Sequence, residues 1–373
     1  MSTPLRLDLN APRAAQGDVI EVLDYHTGGE PFRIVVSGYP ELAGTSILER
    51  RRSALQQHDH LRKLLMWEPR GHADMYGGIL VPPDHAEAQV GVLFMHNEGY
   101  STMCGHGTIA LATALIESGA IVATGTETPI GIDAPCGLVR ATALVHADEL
   151  AAARAAGRTP RVHEVRFENV PSFAAALDVQ LEVPGYGRLT IDVGYGGAFY
   201  ALIDAAALGL KMTAENAVAL TAAGRAITDA GRAALRHGGP LAAALGVAHP
   251  LEDDLSFLYG AIISGSPEDS AHHSRNLCVF AEGEVDRSPT GSGVSARIAV
   301  LHARSLVATG EEIAIESILG RDSLFIGRVA RVEAWAGRTA VIPEVRGSAH
   351  MTGSARFVLD ANDPIGRGFL VAR

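Results

Sequence analysis

Cys104 and Thr290 stand at the same position in two stretches of similar sequence. The first stretch, 103–110, reads MCGHGTIA, and the second, 289–296, reads PTGSGVSA. Each stretch has the pattern x-[Cys/Thr]-Gly-x-Gly-x-x-Ala and opens an Ala-rich apolar run, which predicts a glycine turn that begins a buried helix. Since 186 residues separate Cys104 from Thr290, half of the 373-residue chain, the repeat indicates a duplication of two similar halves.

The beginning of a helix is suited to binding an anion. Its first N–H groups lack acceptors within the helix, and the helix dipole adds positive potential there. We therefore predict that Gly105 and His106 in one copy, and Gly291 and Ser292 in the other, donate backbone N–H groups to one carboxylate. The glycines allow the backbone to approach the ligand closely.

The residue before each turn determines which chemistry is available. A cysteine at a helix start is expected to have a lowered pKa, so that the Cys104 thiolate serves as a base or nucleophile. A buried structural cysteine is the alternative. His106 is either a capping residue or part of the site, and Asp286 is either a turn residue or the partner of a cationic amine. Together these groups indicate a site for an α-amino or imino acid.

Other candidate residues favour structural roles. Cys136 and Cys278 lie in strand-like runs and are predicted to be core residues. The pair His272-His273 lies in the predicted loop 265–274 without further ligands at metal spacing, so a zinc site is not expected. The segment Glu68-Pro69-Arg70-Gly71-His72 is explained equally well by a structural turn and by a substrate contact.

The remaining sequence predicts α/β elements around the two glycine turns. Alternating residues indicate a β-hairpin over 18–38, and helical spacing indicates an amphipathic helix over 49–66. Residues 147–158 are read as a surface helix or loop, and 212–236 as a helix. The order of strands, one buried helix, and strands again occurs twice, which predicts two α/β halves that each wrap sheet around a helix.

Composition bounds the class of protein. Hydrophobic residues make up 47% of the chain and charged residues 20%, as in ordinary globular proteins. A net charge of −11 without a long basic run argues against nucleic acid or an anionic membrane as a partner. No apolar run approaches the roughly 18 residues of a membrane helix, and 1–17 has no apolar signal core, so a cytoplasmic location is expected. Three cysteines without a CxxC motif predict free thiols.

The motifs resemble the two signatures of the proline racemase family. Met-Cys-Gly-His-Gly-Thr at 103–108 and Asp-Arg-Ser-Pro-x-Gly-x-Gly at 286–293 carry the resemblance. Further matches run along the chain, at 24–30, 68–72, 169–173 and 194–200. The resemblance implies the diaminopimelate epimerase-like fold, with two pseudo-symmetric domains and the active site in the cleft. We place the Cys104 domain at 1–135 plus 346–373, and the domain with Asp286 and Thr290 at 136–345.

The resemblance also implies a reaction, and Thr290 modifies it. Racemases and 4-hydroxyproline epimerases of the family have cysteine at both turns, and one thiol removes the α-proton while the other returns it. An alkyl hydroxyl lacks a suitable pKa for that role. The Cys/Thr pair resembles the trans-3-hydroxy-L-proline dehydratase branch, in which the cysteine is the base at Cα and the 3-hydroxyl leaves as water.

In the reaction that the resemblance implies, the catalytic residues are Cys104 and Thr290. Gly105, His106, Gly291 and Ser292 bind the carboxylate, and Asp286 faces the ring nitrogen. No cofactor or metal is required, the partner is a small imino acid, and a homodimer is left open. The alternatives are a 4-hydroxyproline epimerase or proline racemase, and an imino-acid-binding protein without catalysis.

Overall fold

Two buried helices, each beginning at one of the paired glycine turns, form the centre of the molecule. In the computed structural model, which describes residues 17–371, they span Gly105–Glu117 and Gly291–Ala303. Every residue from 105 to 116 is buried, because most of the run is glycine, alanine and larger apolar residues, and the hydroxyls of its two threonines bond backbone carbonyls one turn back. The helices of this part of the chain are α1 (Ile47–Gln57), α2 (Asp59–Met66), α3 (Gly105–Glu117), α4 (Ala147–Ala156), α5 (Ala217–His237), α6 (Gly239–Leu245) and α7 (Gly291–Ala303).

The strands form two groups. Those grouped with α3 are β1 (Gly17–Thr27), β2 (Glu30–Ser37), β3 (Tyr76–Val81), β4 (Val90–His96), β5 (Glu127–Ala134), β6 (Gly137–Leu144), β7 (Glu164–Glu168) and β17 (Ala349–Asp360). Those grouped with α7 are β8 (Phe173–Val183), β9 (Gly187–Tyr195), β10 (Phe199–Asp204), β11 (Leu258–Gly265), β12 (Ser274–Phe280), β13 (Glu284–Asp286), β14 (Glu312–Ser317), β15 (Gly320–Trp335) and β16 (Arg338–Gly347).

The pairing order repeats between the two groups. Around α3 the strands follow the order β17-β1-β2-β3-β4-β5-β6-β7, in which β2–β3 and β4–β5 are parallel. Around α7 the order is β16-β15-β14-β12-β11-β10-β9-β8, in which β14–β12 and β11–β10 are parallel. The antiparallel pair β7–β16 joins the groups. The predicted α/β fold of two similar halves, each wrapping sheet around a helix, is therefore confirmed.

The sequence predictions for individual elements hold with local differences. The 18–38 hairpin forms, with Gly28 and Gly29 at positive φ in its turn. The single helix predicted over 49–66 is two helices, because the non-helical backbone at His58 redirects the chain so that α2 buries Leu61, Leu64 and Leu65. Residues 147–156 form a helix.

Some predictions stay open. The domain limits at 135 and 346 stay a prediction. The strands β6 and β7 follow residue 136 in the chain, yet they contact α3 as β1, β2 and β17 do. The interpretation of 1–17 as lacking a signal falls, apart from Gly17, outside the described residues. Within residues 17–371, no helix is both long and apolar enough to cross a membrane.

We predict that Gly105→Ala destabilises the protein, because a Cβ there would stand 2.4 Å from the Gly291 Cα. Overpacking of this kind typically costs about 1–3 kcal/mol, and the thermal unfolding midpoint measures it. Gly99→Ala is the matched control, because a Cβ at Gly99 would meet no atom within 4 Å. Equal midpoints for the two variants would contradict the prediction.

Candidate active site

The starts of α3 and α7 meet backbone to backbone. A Cβ on Gly105 would lie 2.4 Å from the Gly291 Cα, and a Cβ on Gly291 would lie 2.7 Å from the Gly105 Cα. Only glycine permits this approach, which explains the first glycine of both repeats. The amides of Gly105, His106, Gly291 and Ser292 are the first of their helices and have no acceptor within them. Two positive helix ends therefore converge, as the sequence predicted.

A small cavity lies at this junction, between the two halves. Its free space is about 10 Å³, roughly that of one water molecule. Five of the residues predicted from the two repeats line it, together with Asp286. The remaining predicted residue, Gly291, lies behind the lining, against Gly105. The full lining consists of Tyr76, Met103, Cys104, Gly105, His106, Tyr200, Tyr259, Cys278, Phe280, Asp286, Thr290 and Ser292.

Cys104 caps α3 with its own side chain. Its Sγ accepts a hydrogen bond from the Gly107 N–H at 3.2 Å and lies 3.4 Å from Nδ1 of His106. The expectation of a lowered thiol pKa is wrong for this state of the protein. Burial raises the pKa of Cys104 well above the ordinary range, and the negative charges of Asp286 and Glu30 add to the effect. The bond from Gly107 opposes this rise without overcoming it.

His106 and Asp286 approach each other across the cavity. His106 Nδ1 lies 3.7 Å from Asp286 Oδ2, and both side chains are buried. Burial acts to raise the pKa of Asp286, but the neighbouring His106 and hydrogen bonds from Ser288 outweigh it and hold the pKa below its ordinary value. Asp286 is therefore a buried carboxylate that favours a cation beside it, as an amine partner requires.

Thr290 occupies the start of α7 in a strained conformation. Its φ of 65° lies in the left-handed region, which β-branched residues rarely adopt. The turn is held by hydrogen bonds from the Ser288 N–H to Asp286 Oδ1 at 2.7 Å and from the Thr290 N–H to Ser288 Oγ at 3.1 Å. The Thr290 hydroxyl is buried in the cavity wall, and no partner of standard hydrogen-bond geometry is found for it among residues 17–371. It lies close enough to the Cys278 thiol to act to lower the pKa of that group.

The β1–β2 hairpin ties the two halves together at the site. Thr27 donates a hydrogen bond to the His106 carbonyl at 3.0 Å. The Glu30 carboxylate accepts a hydrogen bond from the Arg287 backbone N–H at 2.7 Å and forms an ion pair with the Arg287 guanidinium at 3.0 Å. These contacts explain the 24–30 motif: the hairpin fixes the segment that carries Asp286 relative to α3.

Four lining residues with a hydroxyl or thiol group were not identified as functional from the sequence. Cys278, predicted to be core, is buried but faces the cavity, because β12 pairs with β13 so that Cys278 lies opposite Asp286. Tyr76, Tyr200 and Tyr259 present three hydroxyl groups. Tyr200 ends the 194–200 motif, which was the available signal for it. Tyr76 and Tyr259 reach the cavity from different halves, so only the tertiary structure unites them.

His272 and the 68–72 segment make contacts within the protein, away from the cavity. His272 bonds Glu316, which also holds Arg275, and no group of three potential metal ligands occurs among residues 17–371. Arg70 binds the carbonyls of Val358 and Gly366, so the 68–72 segment anchors the C-terminal end of the described chain. A larger groove of about 650 Å³ lies near Arg275 and contains none of the predicted site residues.

Comparison with known proteins places this site in a family. The proline racemase family model matches residues 22–370. A trans-L-3-hydroxyproline dehydratase of Xenopus tropicalis is 44% identical over 97% of this chain and 99% of its own. A 3-hydroxyproline 2-epimerase of Burkholderia multivorans is also 44% identical, over 94% of this chain and 98% of its own.

The architecture agrees with these matches. The crystal structure of a hydroxyproline epimerase from Agrobacterium vitis, with bound trans-4-hydroxy-L-proline, superimposes with a TM-score of 0.82 at 30% identity, covering 96% of this chain and 97% of that one. Because the family model matches nearly the whole length of the described residues, this chain belongs to the proline racemase family.

Proposed function

We propose that the protein is a lyase that removes water from trans-3-hydroxy-L-proline and yields 1-pyrroline-2-carboxylate. The observation that carries the proposal is the Cys104 thiol and the Thr290 hydroxyl at two converging helix starts in one cavity. The chain's similarity to the Xenopus dehydratase over 97% of its length supports it. The reaction transfers no electrons to or from the substrate and therefore needs no redox cofactor.

The helix starts and Asp286 account for recognition of the imino acid. The substrate carboxylate would bind the N–H groups of Gly105, His106, Gly291 and Ser292, where two helix dipoles converge. The ring ammonium would lie beside Asp286, whose lowered pKa keeps it charged. These two contacts hold the ring so that Cα lies between Cys104 and Thr290.

Cys104 acts as the base at Cα. As the α-proton leaves, negative charge develops on the carboxylate, and the helix N–H groups stabilise it as an oxyanion hole does. Loss of the 3-hydroxyl gives an enamine, which tautomerises to the cyclic imine. In the trans isomer the α-hydrogen and the 3-hydroxyl lie on the same face of the ring, so base and leaving group are on the Cys104 side.

Thr290 is what separates this proposal from racemisation. Two-base epimerisation needs a base on one face of Cα and an acid on the other, and an alkyl hydroxyl is a poor proton donor to carbon. Since the Burkholderia epimerase matches as well as the dehydratase does, epimerisation is the second candidate. We assign Thr290 to the ring face opposite Cys104, where it contacts the substrate or a water molecule.

Substrate entry requires the cavity to open. Its free space of about 10 Å³ is far smaller than a proline ring. We infer that the described state is the closed one, and that the two halves separate to admit the ligand and close to exclude water.

A substrate panel tests the function. We predict that incubation in deuterated water with trans-3-hydroxy-L-proline, L-proline and trans-4-hydroxy-L-proline gives water loss from the first substrate alone, measured by NMR and chiral chromatography. Racemised proline or epimerised 4-hydroxyproline at a comparable rate would favour the second candidate instead. Binding of all three without any turnover would favour a non-catalytic binding protein.

Cys104→Ser should remove the base. We expect dehydration to fall by at least about a hundredfold, the lower end of a general-base contribution, as measured by steady-state turnover. Cys136→Ser is the control, because that thiol lies outside the cavity lining. Turnover near the wild-type rate in Cys104→Ser would rule out Cys104 as the base.

Thr290→Cys should supply the missing second thiol. We expect this variant to gain epimerisation of 3- or 4-hydroxyproline or racemisation of proline, because a thiol can return a proton to the opposite face of Cα. Chiral chromatography of the recovered substrate measures the gain. A folded variant that binds substrate without any such activity would contradict the role assigned to Thr290.

The raised thiol pKa predicts an alkaline pH dependence. The reactive thiolate is the deprotonated form, so its fraction increases with pH and is small at neutral pH when the pKa lies above 9.0. We expect kcat/KM, which reports the ionisation of the free enzyme, to be still rising with pH at neutral pH. A plateau reached at neutral pH would contradict a raised pKa in the unliganded protein.

A further inference from the structure

The proposed reaction leaves one requirement without a residue: the departing 3-hydroxyl needs a proton. Hydroxide is a poor leaving group, and an acid that protonates it typically contributes about 10²–10⁴-fold to the rate. Three tyrosines line the cavity, and the proposed function has not used their hydroxyl groups. The structure distinguishes among them by what each hydroxyl contacts.

Tyr76 lies on the Cys104 side of the cavity. Its ring packs edge-on against His106, with centroids 4.9 Å apart, and His106 in turn lies 3.4 Å from the Cys104 Sγ. Tyr76 also acts to lower the pKa of Cys104, against the larger effect of burial. Tyr76 and Cys104 therefore flank His106 in the lining of the same cavity.

Hydrogen bonds hold the Tyr76 hydroxyl in place. It bonds Ser101 Oγ, and the Tyr259 hydroxyl lies 3.1 Å away. Burial raises the pKa of Tyr76 well above its ordinary value, so the phenol keeps its proton until a strong base forms beside it. Tyr200 differs, because its hydroxyl bonds Ser292 Oγ at 2.6 Å, on α7.

We propose that Tyr76 is the catalytic acid that protonates the departing 3-hydroxyl. This inference rests on the proposed function. In trans-3-hydroxy-L-proline the leaving hydroxyl is on the same ring face as the α-hydrogen, and therefore on the face of Cys104. Tyr76 lines the cavity from β3, in the same half as Cys104, whereas Thr290 begins α7 in the other half.

The proton balance closes within one turnover. The Cys104 thiolate takes the α-proton, the C–H electron pair forms the Cα=Cβ bond, and the C3–O bond breaks. The leaving oxygen takes the Tyr76 proton and departs as water. The Tyr76 phenolate then takes the proton from the Cys104 thiol beside it, which restores both groups. No further reactant is needed.

A change of leaving group tests the proposal. Fluoride departs without being protonated, so we use trans-3-fluoro-L-proline alongside the hydroxy substrate. We expect Tyr76→Phe to lower water loss by about a hundredfold or more and to lower fluoride release much less. Tyr195→Phe is the matched control, since the Tyr195 hydroxyl is buried, unpartnered and outside the cavity lining.

Isotope effects give a second measurement on the hydroxy substrate. If C–O cleavage becomes limiting in Tyr76→Phe, the kinetic isotope effect of α-deuterated substrate falls towards one, and solvent deuterium enters the recovered substrate. A merely structural role would lower both reactions alike and leave the isotope effect unchanged. Equal losses with both leaving groups, or no loss, would overturn the proposal.

Tyr259→Phe keeps the inference testable if Tyr76→Phe does not fold. It removes a neighbour of the Tyr76 hydroxyl, so we expect a smaller loss of dehydration rate, with fluoride release again less affected. Equal loss with both leaving groups would overturn the proposal.

The wild-type protein separates the two hypotheses. Failure to dehydrate trans-3-hydroxy-L-proline would reject the proposed function, whereas dehydration that is insensitive to both substitutions would reject the role of Tyr76 alone.

Discussion

The contact between the Gly105 and Gly291 backbones is the constraint on which the site depends. A Cβ at either position would be less than 3 Å from the other backbone. Because the glycines touch, two helix N-termini face one small cavity, and the residues that precede them, Cys104 and Thr290, both line it. The sheets that wrap each helix and the β7–β16 pair hold the helices in this contact.

The site balances burial against electrostatic stabilisation. Burial raises the pKa of Cys104, and the neighbouring carboxylates raise it further. The Gly107 N–H and Tyr76 favour the thiolate, and a bound ammonium beside Asp286 would reduce the unfavourable negative charge. A thiol that is protonated in the closed, unliganded site and ionises only when an ammonium group is bound beside Asp286 would react with that ligand rather than with solvent species.

Contacts outside the cavity keep its parts in register. The hairpin turn at Gly28 brings Thr27 to α3 and Glu30 to Arg287, so one short segment spans both halves. The hydrogen bonds of Ser288 then impose the left-handed conformation of Thr290. Backbone strain at the second turn is maintained by this surrounding network, as is common at functional sites.

The sequence by itself determined the duplication, the two helix starts, the family, and the candidate residues Cys104, His106, Asp286 and Thr290. These follow from local patterns, since glycine spacing and helix-start chemistry depend on adjacent residues. Only the tertiary structure decided the direction of the Cys104 pKa shift, which depends on burial between the halves. It also decided that Tyr76, Tyr259 and Cys278 face the cavity, because strand pairing and the contact of the two halves bring together residues that are far apart along the chain.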